Sequence, residues 1–214
     1  MRNTHFAPYE ILANSLVPLA VQREGDGSHD ISHLIRVWKN AKLIACEEGG
    51  DLEIIVAATL LHDCVSAEKN SPERSQSSQR AAEKASGILL DLRWNQSRIE
   101  AVAHAIEAHS YSAGIVPKSL EAKILQDADR LDAIGMVGVA RCFYTAGRLG
   151  QKLYDVADVQ ARGRSYDESK YTIDHFQTKL LTLAVGFQTQ AGKNIARFRH
   201  DRLKRFLEEF IEEL

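Results

Sequence analysis

The sequence predicts an all-α fold. Apolar residues recur at helical spacing along most of the 214 residues, strand-type alternation is nearly absent, and thirteen glycines and four prolines are few for a turn-rich β architecture. A hydrophobic share of 44% can bury a substantial core, and 26% charged residues give an ordinary surface. The length suits one domain over residues 1–214, with a core at about 28–147 and a polar loop plus C-terminal helices at 148–214 packing on it.

The elements follow in order. Residues 31–47 place Ile31, Leu34, Ile35, Trp38, Ala41 and Ala45 on one stripe, and Gly49-Gly50 stop the helix. Asp51 can cap the next helix, LEIIVAATLLHD, which is apolar on nearly every side and so reads as central. Residues 73–93, 95–109 and 119–147 read as further helices, with Met136, Phe143 and Tyr144 at core spacing in the last. A final helical stretch over roughly 172–213, breaking near Gly186 or Gly192, carries Ile195, Phe198, Arg202, Phe206, Phe210 and Leu214 on related turns. Two segments are irregular: the proline-containing 65–75, and 147–171, a polar connection long enough to read as a lid or rim, a solvated insertion or an oligomer contact.

A formal charge of −2 argues against an electrostatic nucleic-acid binder. Three scattered cysteines without a CxxC pair suit a reducing compartment. Polar residues interrupt the N-terminus too often for a signal segment, and no apolar run reaches the roughly 18 residues of a spanning helix. The expectation is a cytoplasmic protein without a membrane or nucleic-acid partner, monomeric or homodimeric.

The most informative dipeptide is His62-Asp63, which closes the most apolar helix. A buried imidazole and carboxylate are costly unless something satisfies them. His33 lies on an earlier helix at the border of its apolar stripe, in line with Val37 and Ile44. Asp129 lies one turn after Leu125 and one turn before Asp132 and faces inward, whereas Asp127 faces elsewhere, as a surface acid would. Two carboxylates brought together repel, and a dication between them cancels that repulsion while two imidazoles complete a mixed nitrogen and oxygen shell. Such a shell suits Mn²⁺, Fe²⁺, Co²⁺, Ni²⁺ or Zn²⁺ better than Ca²⁺.

The order His33, then His62-Asp63 in LLHDC, then Asp129 in QDADRLDAIG, with 29 residues from His33 to His62 and 66 from Asp63 to Asp129, resembles the HD-domain metal-dependent phosphohydrolase superfamily. The strings DISHLIRVWKNA, LLHDCVSAEKNSPERSQ, IEAHSYSAG and DADRLDAIGMVGVAR look like its small bacterial YedJ-like or YpgQ-like subgroup. The resemblance covers residues 28–147 strongly and the C-terminal helices less specifically. It implies an all-α helical bundle with one metal at its centre, held by His33, His62, Asp63 and Asp129, with positions left for water and a phosphate oxygen. It also implies hydrolysis by water that the ion activates, at a phosphoryl group whose charge the ion neutralises.

Cations near such a centre would grip phosphates. Arg36 shares the face of His33, Lys69 and Arg74 lie in the loop after the His-Asp pair, and Arg130 adjoins Asp129; for each, a local ion pair is the competing reading. His109, in line with Ile99, Val102 and Ile106, is a candidate for contacting substrate or leaving group, or a satisfied core histidine, whereas His104 points elsewhere. Asp63 and Glu68 are the candidate catalytic acids and bases, and Asp132 a candidate for orienting an arginine or a water.

The resemblance points to a phosphorylated small molecule, most specifically a nucleoside or deoxynucleoside triphosphate with pyrophosphate as a product. A nucleoside 5′-monophosphatase and a metal-dependent nucleotide sensor with little turnover are the alternatives. The acidic pair that alarmone hydrolases carry after their histidine-aspartate motif is replaced by CVSAEK.

Overall fold

The computed structural model describes residues 3–20, 30–65, 76–110 and 113–214. Among them are nine α-helices and no β-strand: α1 Glu10–Ala20, α2 Ile31–Glu48, α3 Leu52–Leu61, α4 Ser77–Asp91, α5 Gln96–His109, α6 Leu120–Asp132, α7 Gly135–Arg148, α8 Thr172–Thr178 and α9 Gln190–Glu212. Single 3-10 turns cover Thr4–Phe6 and Leu180–Thr182. The chain forms two compact units, Met1–Asp129 and Arg130–Leu214, so the division falls inside α6. None of the described helices is long and apolar enough to cross a membrane. No disulfide joins Cys46, Cys64 or Cys142.

The first unit is organised around α3. Its N-terminus is held three ways through Asp51, whose side chain accepts from the Glu53 and Ile54 amides, pairs with Arg98, and whose own amide donates to Glu121. The helix α3 then packs against α1, α2, α4 and α5, and every residue from Ile54 to Leu61 is buried. An amphipathic surface helix keeps a polar stripe; a helix without one has to be surrounded. Each buried Ile, Val or Leu contributes roughly 1.5–3 kcal/mol, so α3 is the frame on which the rest of this unit is registered.

The helix α2 begins at Asp30, whose carboxylate accepts from the Ser32 and His33 amides, and ends at Gly49 with φ +85°. Its buried face comprises His33, Leu34, Val37, Trp38, Asn40, Ala41, Ile44 and Ala45. The stripe expected from Ile31 and Ile35 is therefore rotated: both are only half-buried, and the His33–Val37–Ile44 line sits inside the packed face instead of at its border. In α6, all residues from Ile124 to Ala128 are buried, which corrects the reading of Asp127 as a surface acid: packing encloses the whole circumference of the helix at that level.

The single helix expected over 119–147 is two helices. Ile134 is extended, Gly135 has φ +71°, and a Cβ on Gly138 would run into the Ala133 carbonyl. Glycine alone adopts that left-handed backbone at little cost. The restart resets the helical phase, so Met136 and Tyr144 are exposed, contrary to the core positions expected of them. Phe143 does enter an aromatic cluster, with Phe176, Phe206 and Phe210.

In the second unit α7 packs against α8 and α9. The break in the C-terminal stretch falls at Gly186, with φ +93°, while Gly192 is buried inside α9. On α9 the buried line is Ala196, Leu203 and Leu207, and Phe198 and Leu214 are exposed. The segment between α7 and α8 is internally wired. The Thr172 amide donates to the Lys152 carbonyl and the Lys152 amide to the Lys170 carbonyl, and buried Asp174 accepts from Arg164 and from the Asp167 amide. The Arg164 guanidinium also lies 4.6 Å from the centre of the Tyr171 ring.

Candidate metal centre

A histidine at the end of a helix has a particular opportunity. The last four carbonyls of an α-helix lack intrahelical partners, and an imidazole placed there can donate one ring N–H back to one of them. His62 is the C-cap of α3, and its Nδ1 lies 2.8 Å from the Thr59 carbonyl. His109 is the last residue of α5, and its Nδ1 lies 2.6 Å from the Ile106 carbonyl. A carbonyl oxygen only accepts, so Nδ1 carries a hydrogen in both rings and Nε2 is the nitrogen turned to the cluster. The rings meet edge to face, with centroids 4.8 Å apart.

The Nε2 atoms converge with the carboxylates. His33 Nε2 and His62 Nε2 are 3.2 Å apart. Asp63 Oδ2 is 3.5 Å from His33 Nε2 and 3.3 Å from His62 Nε2. Asp129 Oδ1 is 3.5 Å and 3.8 Å from the same two atoms. His109 Nε2 stands 3.8 Å from Asp63 Oδ1. Metal–ligand bonds of roughly 2.1 Å put neighbouring donors about 3 Å apart at a right angle and about 3.4 Å apart at a tetrahedral angle. The observed separations of 3.2–3.8 Å span that size and run slightly beyond it, and all but the 3.2 Å His33–His62 contact are longer than well-made hydrogen bonds. The donor set therefore fits a divalent ion. It falls into two overlapping groups, His33–His62–Asp129 and His62–Asp63–His109, each able to hold one.

Electrostatics point the same way. Burial alone would push the His62 imidazolium down, yet the Asp63 and Asp129 carboxylates lift its pKa to about 9. The two carboxylates thus favour positive charge at this ring. His109 moves the other way, lowered first by burial and then by the neighbouring His62. His33, His62 and His109 are buried, while the Asp63 and Asp129 side chains keep 22% and 29% of their exposure. The carboxylates thus lie on the side from which solvent or a ligand can reach the centre.

The backbone on both sides of the cluster is also held. Cys64 N donates to the Leu61 carbonyl, Cys64 Sγ to Ala81, and Lys84 Nζ to the Cys64 carbonyl at 3.0 Å, which ties the turn bearing His62 and Asp63 to α4. Asn40 Nδ2 donates to the Ala128 carbonyl and Gln126 Nε2 to the Ala108 carbonyl. None of these side chains was singled out from the sequence; a polar Asn40 in the middle of the buried face of α2 was the available signal.

Of the other residues read from the sequence, Arg36 bonds Ser32 Oγ at 2.9 Å, within the N-cap of α2. Arg130 belongs to the second unit, where its Nη1 donates to the Gly186 carbonyl at 2.8 Å and its guanidinium lies over Phe187. Asp132 pairs with Arg141 at 2.7 Å. His104 Nε2 accepts from the Lys118 amide. Glu68, Lys69 and Arg74 lie outside the described residues.

Three comparisons with known proteins place the chain in a family. The HD-domain family model matches residues 30–134. The chain is 30% identical over 199 residues to YpgQ of Bacillus subtilis (strain 168), covering 91% of this chain and 89% of that protein. Among solved structures, an HD-superfamily hydrolase from Bacillus thuringiensis is 32% identical, with a TM-score of 0.71, over 95% of this chain and 96% of that one. The structure of B. subtilis YpgQ in complex with ADP is 27% identical, with a TM-score of 0.70, over 94% of this chain and 96% of that one.

Proposed function

Because the chain belongs to the HD-domain superfamily and is one of its metal-dependent phosphohydrolases, we propose that it hydrolyses the phosphates of a nucleotide, taking nucleoside or deoxynucleoside triphosphates and releasing pyrophosphate. The observation that carries the nucleotide is the ADP complex of B. subtilis YpgQ, a protein similar to this chain along nearly its whole length.

In this reading His33 Nε2, His62 Nε2, Asp63 and Asp129 hold one divalent ion of the Mn²⁺, Fe²⁺, Co²⁺, Ni²⁺ or Zn²⁺ type. The convergence of their donor atoms within 3.2–3.8 Å supports the assignment. When bound, the ion supplies Lewis-acid charge neutralisation and activation of water at the phosphoryl group. Asp63 presents Oδ2 to His33 and His62 and Oδ1 to His109. One of its oxygens can ligate while the other orients the attacking water and receives its proton. His109, neutral and fixed through Nδ1, offers Nε2 to the substrate or its leaving group. Glu68 is proposed as the auxiliary base, and Arg36, Lys69 and Arg74 as phosphate contacts.

The decisive experiment incubates the purified chain with each of the five metals and a panel of nucleoside mono-, di- and triphosphates, measuring phosphate and pyrophosphate separately. Metal-dependent pyrophosphate release from triphosphates, abolished by chelator, is expected. Turnover confined to 5′-monophosphates would replace the proposal with a monophosphatase, and tight binding without release would make the chain a sensor.

A further inference from the structure

The helix α6 carries Asp129 into the cluster, and two buried amides hold it there. Asn40 lies two turns after His33 on the buried face of α2, and its Nδ2 donates to the carbonyl of Ala128, the residue next to Asp129, at 3.0 Å. Gln126 lies on α6 itself, three residues before Asp129, and its Nε2 donates to the carbonyl of Ala108, the residue next to His109, at 2.6 Å. Two of the helices that bear cluster residues thus grip the backbone beside another cluster residue: α2 holds α6, and α6 holds α5. A side-chain amide on a single backbone carbonyl sets the height of one helix against another, which smooth apolar packing does not.

Gln126 carries a second sign of this role. It is buried, and its Oε1 has no hydrogen-bond partner among the described residues. A buried polar atom left unpaired costs stability, and an apolar side chain of similar size would avoid the cost. The residue is therefore a poor choice for packing and a useful one for placing a helix.

We propose that Asn40 and Gln126 are positioning residues that fix α6, and with it the Asp129 carboxylate, at metal-binding distance from His33 and His62. The proposal rests on the assignment of Asp129 as a ligand. It is tested by Mn²⁺ titration calorimetry and by thermal unfolding of the metal-free chain, for the wild type, Asn40→Leu, Gln126→Leu and Asp129→Asn, and for each leucine variant combined with Asp129→Asn. The expected result is a Mn²⁺ affinity lower by about tenfold in each leucine variant, the range seen when groups behind metal ligands are removed. The metal-free Gln126→Leu chain should melt at or above the wild-type temperature, which keeps the experiment decisive should Asn40→Leu fail to fold. In the Asp129→Asn background the leucine substitutions should change affinity by less than about twofold, since they act through that carboxylate. Wild-type affinity in Gln126→Leu, or equal losses with and without Asp129, would overturn the positioning role alone. Wild-type affinity in Asp129→Asn would overturn the ligand assignment and the proposal with it.

Discussion

At the residue scale, the chemistry proposed for this chain depends on where histidines stand relative to helix ends. His62 and His109 occupy C-terminal positions at which a vacant carbonyl fixes one nitrogen and leaves the other free. Replacing His62 or Asp129 by Ala should abolish stoichiometric metal binding, as measured by elemental analysis of protein purified in the presence of Mn²⁺. Retention of full occupancy in Asp129→Ala would force a new assignment. The lifted pKa of His62, about 9 against an ordinary 6.5, makes a second prediction. A folded-state pKa above the unfolded one stabilises the metal-free fold fully below about pH 6.5, and that stabilisation is lost as pH rises through about 9. The melting temperature of the metal-free chain should fall across this window. Metal uptake at pH 7 should release about one proton, visible as a dependence of the binding heat on the ionisation enthalpy of the buffer. A melting temperature flat over that window would show that the proton does not stand in for the ion.

Single elements carry the precision. The helix α3 is buried on all sides and ends at the cluster, so its packing fixes His62 and Asp63. The separation of α6 from α7 depends on Gly135, where φ is +71° and an added Cβ would press on the Arg199 side chain at 3.2 Å. Gly135→Ala should destabilise the second unit by about 1–2 kcal/mol in urea unfolding, through left-handed backbone strain. A neutral effect would mean that the turn relaxes freely. The segment between α7 and α8 hangs on Asp174, which accepts from both terminal nitrogens of Arg164 and from the Asp167 amide. Asp174→Asn places an amide hydrogen-bond donor against those donors. Limited trypsin digestion should then cut at Arg162 and Arg164 faster than in the wild type, and unchanged cleavage would assign the order of this segment to other contacts.

For the whole molecule, the residues of the proposed metal centre all lie within Met1–Asp129. A ligand that binds only the folded state stabilises it by about 2.7 kcal/mol at a hundredfold excess over its Kd, and removal of the ion leaves two carboxylates without their counter-charge. Mn²⁺ should slow hydrogen exchange in α3 and α5, while exchange in α9 stays as it was. Equal protection in both units would show that the ion acts on more than the centre it occupies.

The sequence alone was enough to determine the helical class and the central position of α3, because period and burial pattern are local properties, and to propose the set His33, His62, Asp63 and Asp129 from its distinctive spacing; the fold brings these four side chains together. It was also enough to aim His109 inward. Tertiary packing decided the rest. The phase of the buried face on α2, the enclosure of Asp127, the exposure of Met136 and Tyr144 after the restart at Gly135, and the hydrogen bonds of Asn40 and Gln126 all depend on which helices lie alongside. Periodicity gives the direction in which a side chain points; only the packed neighbours determine what it meets there.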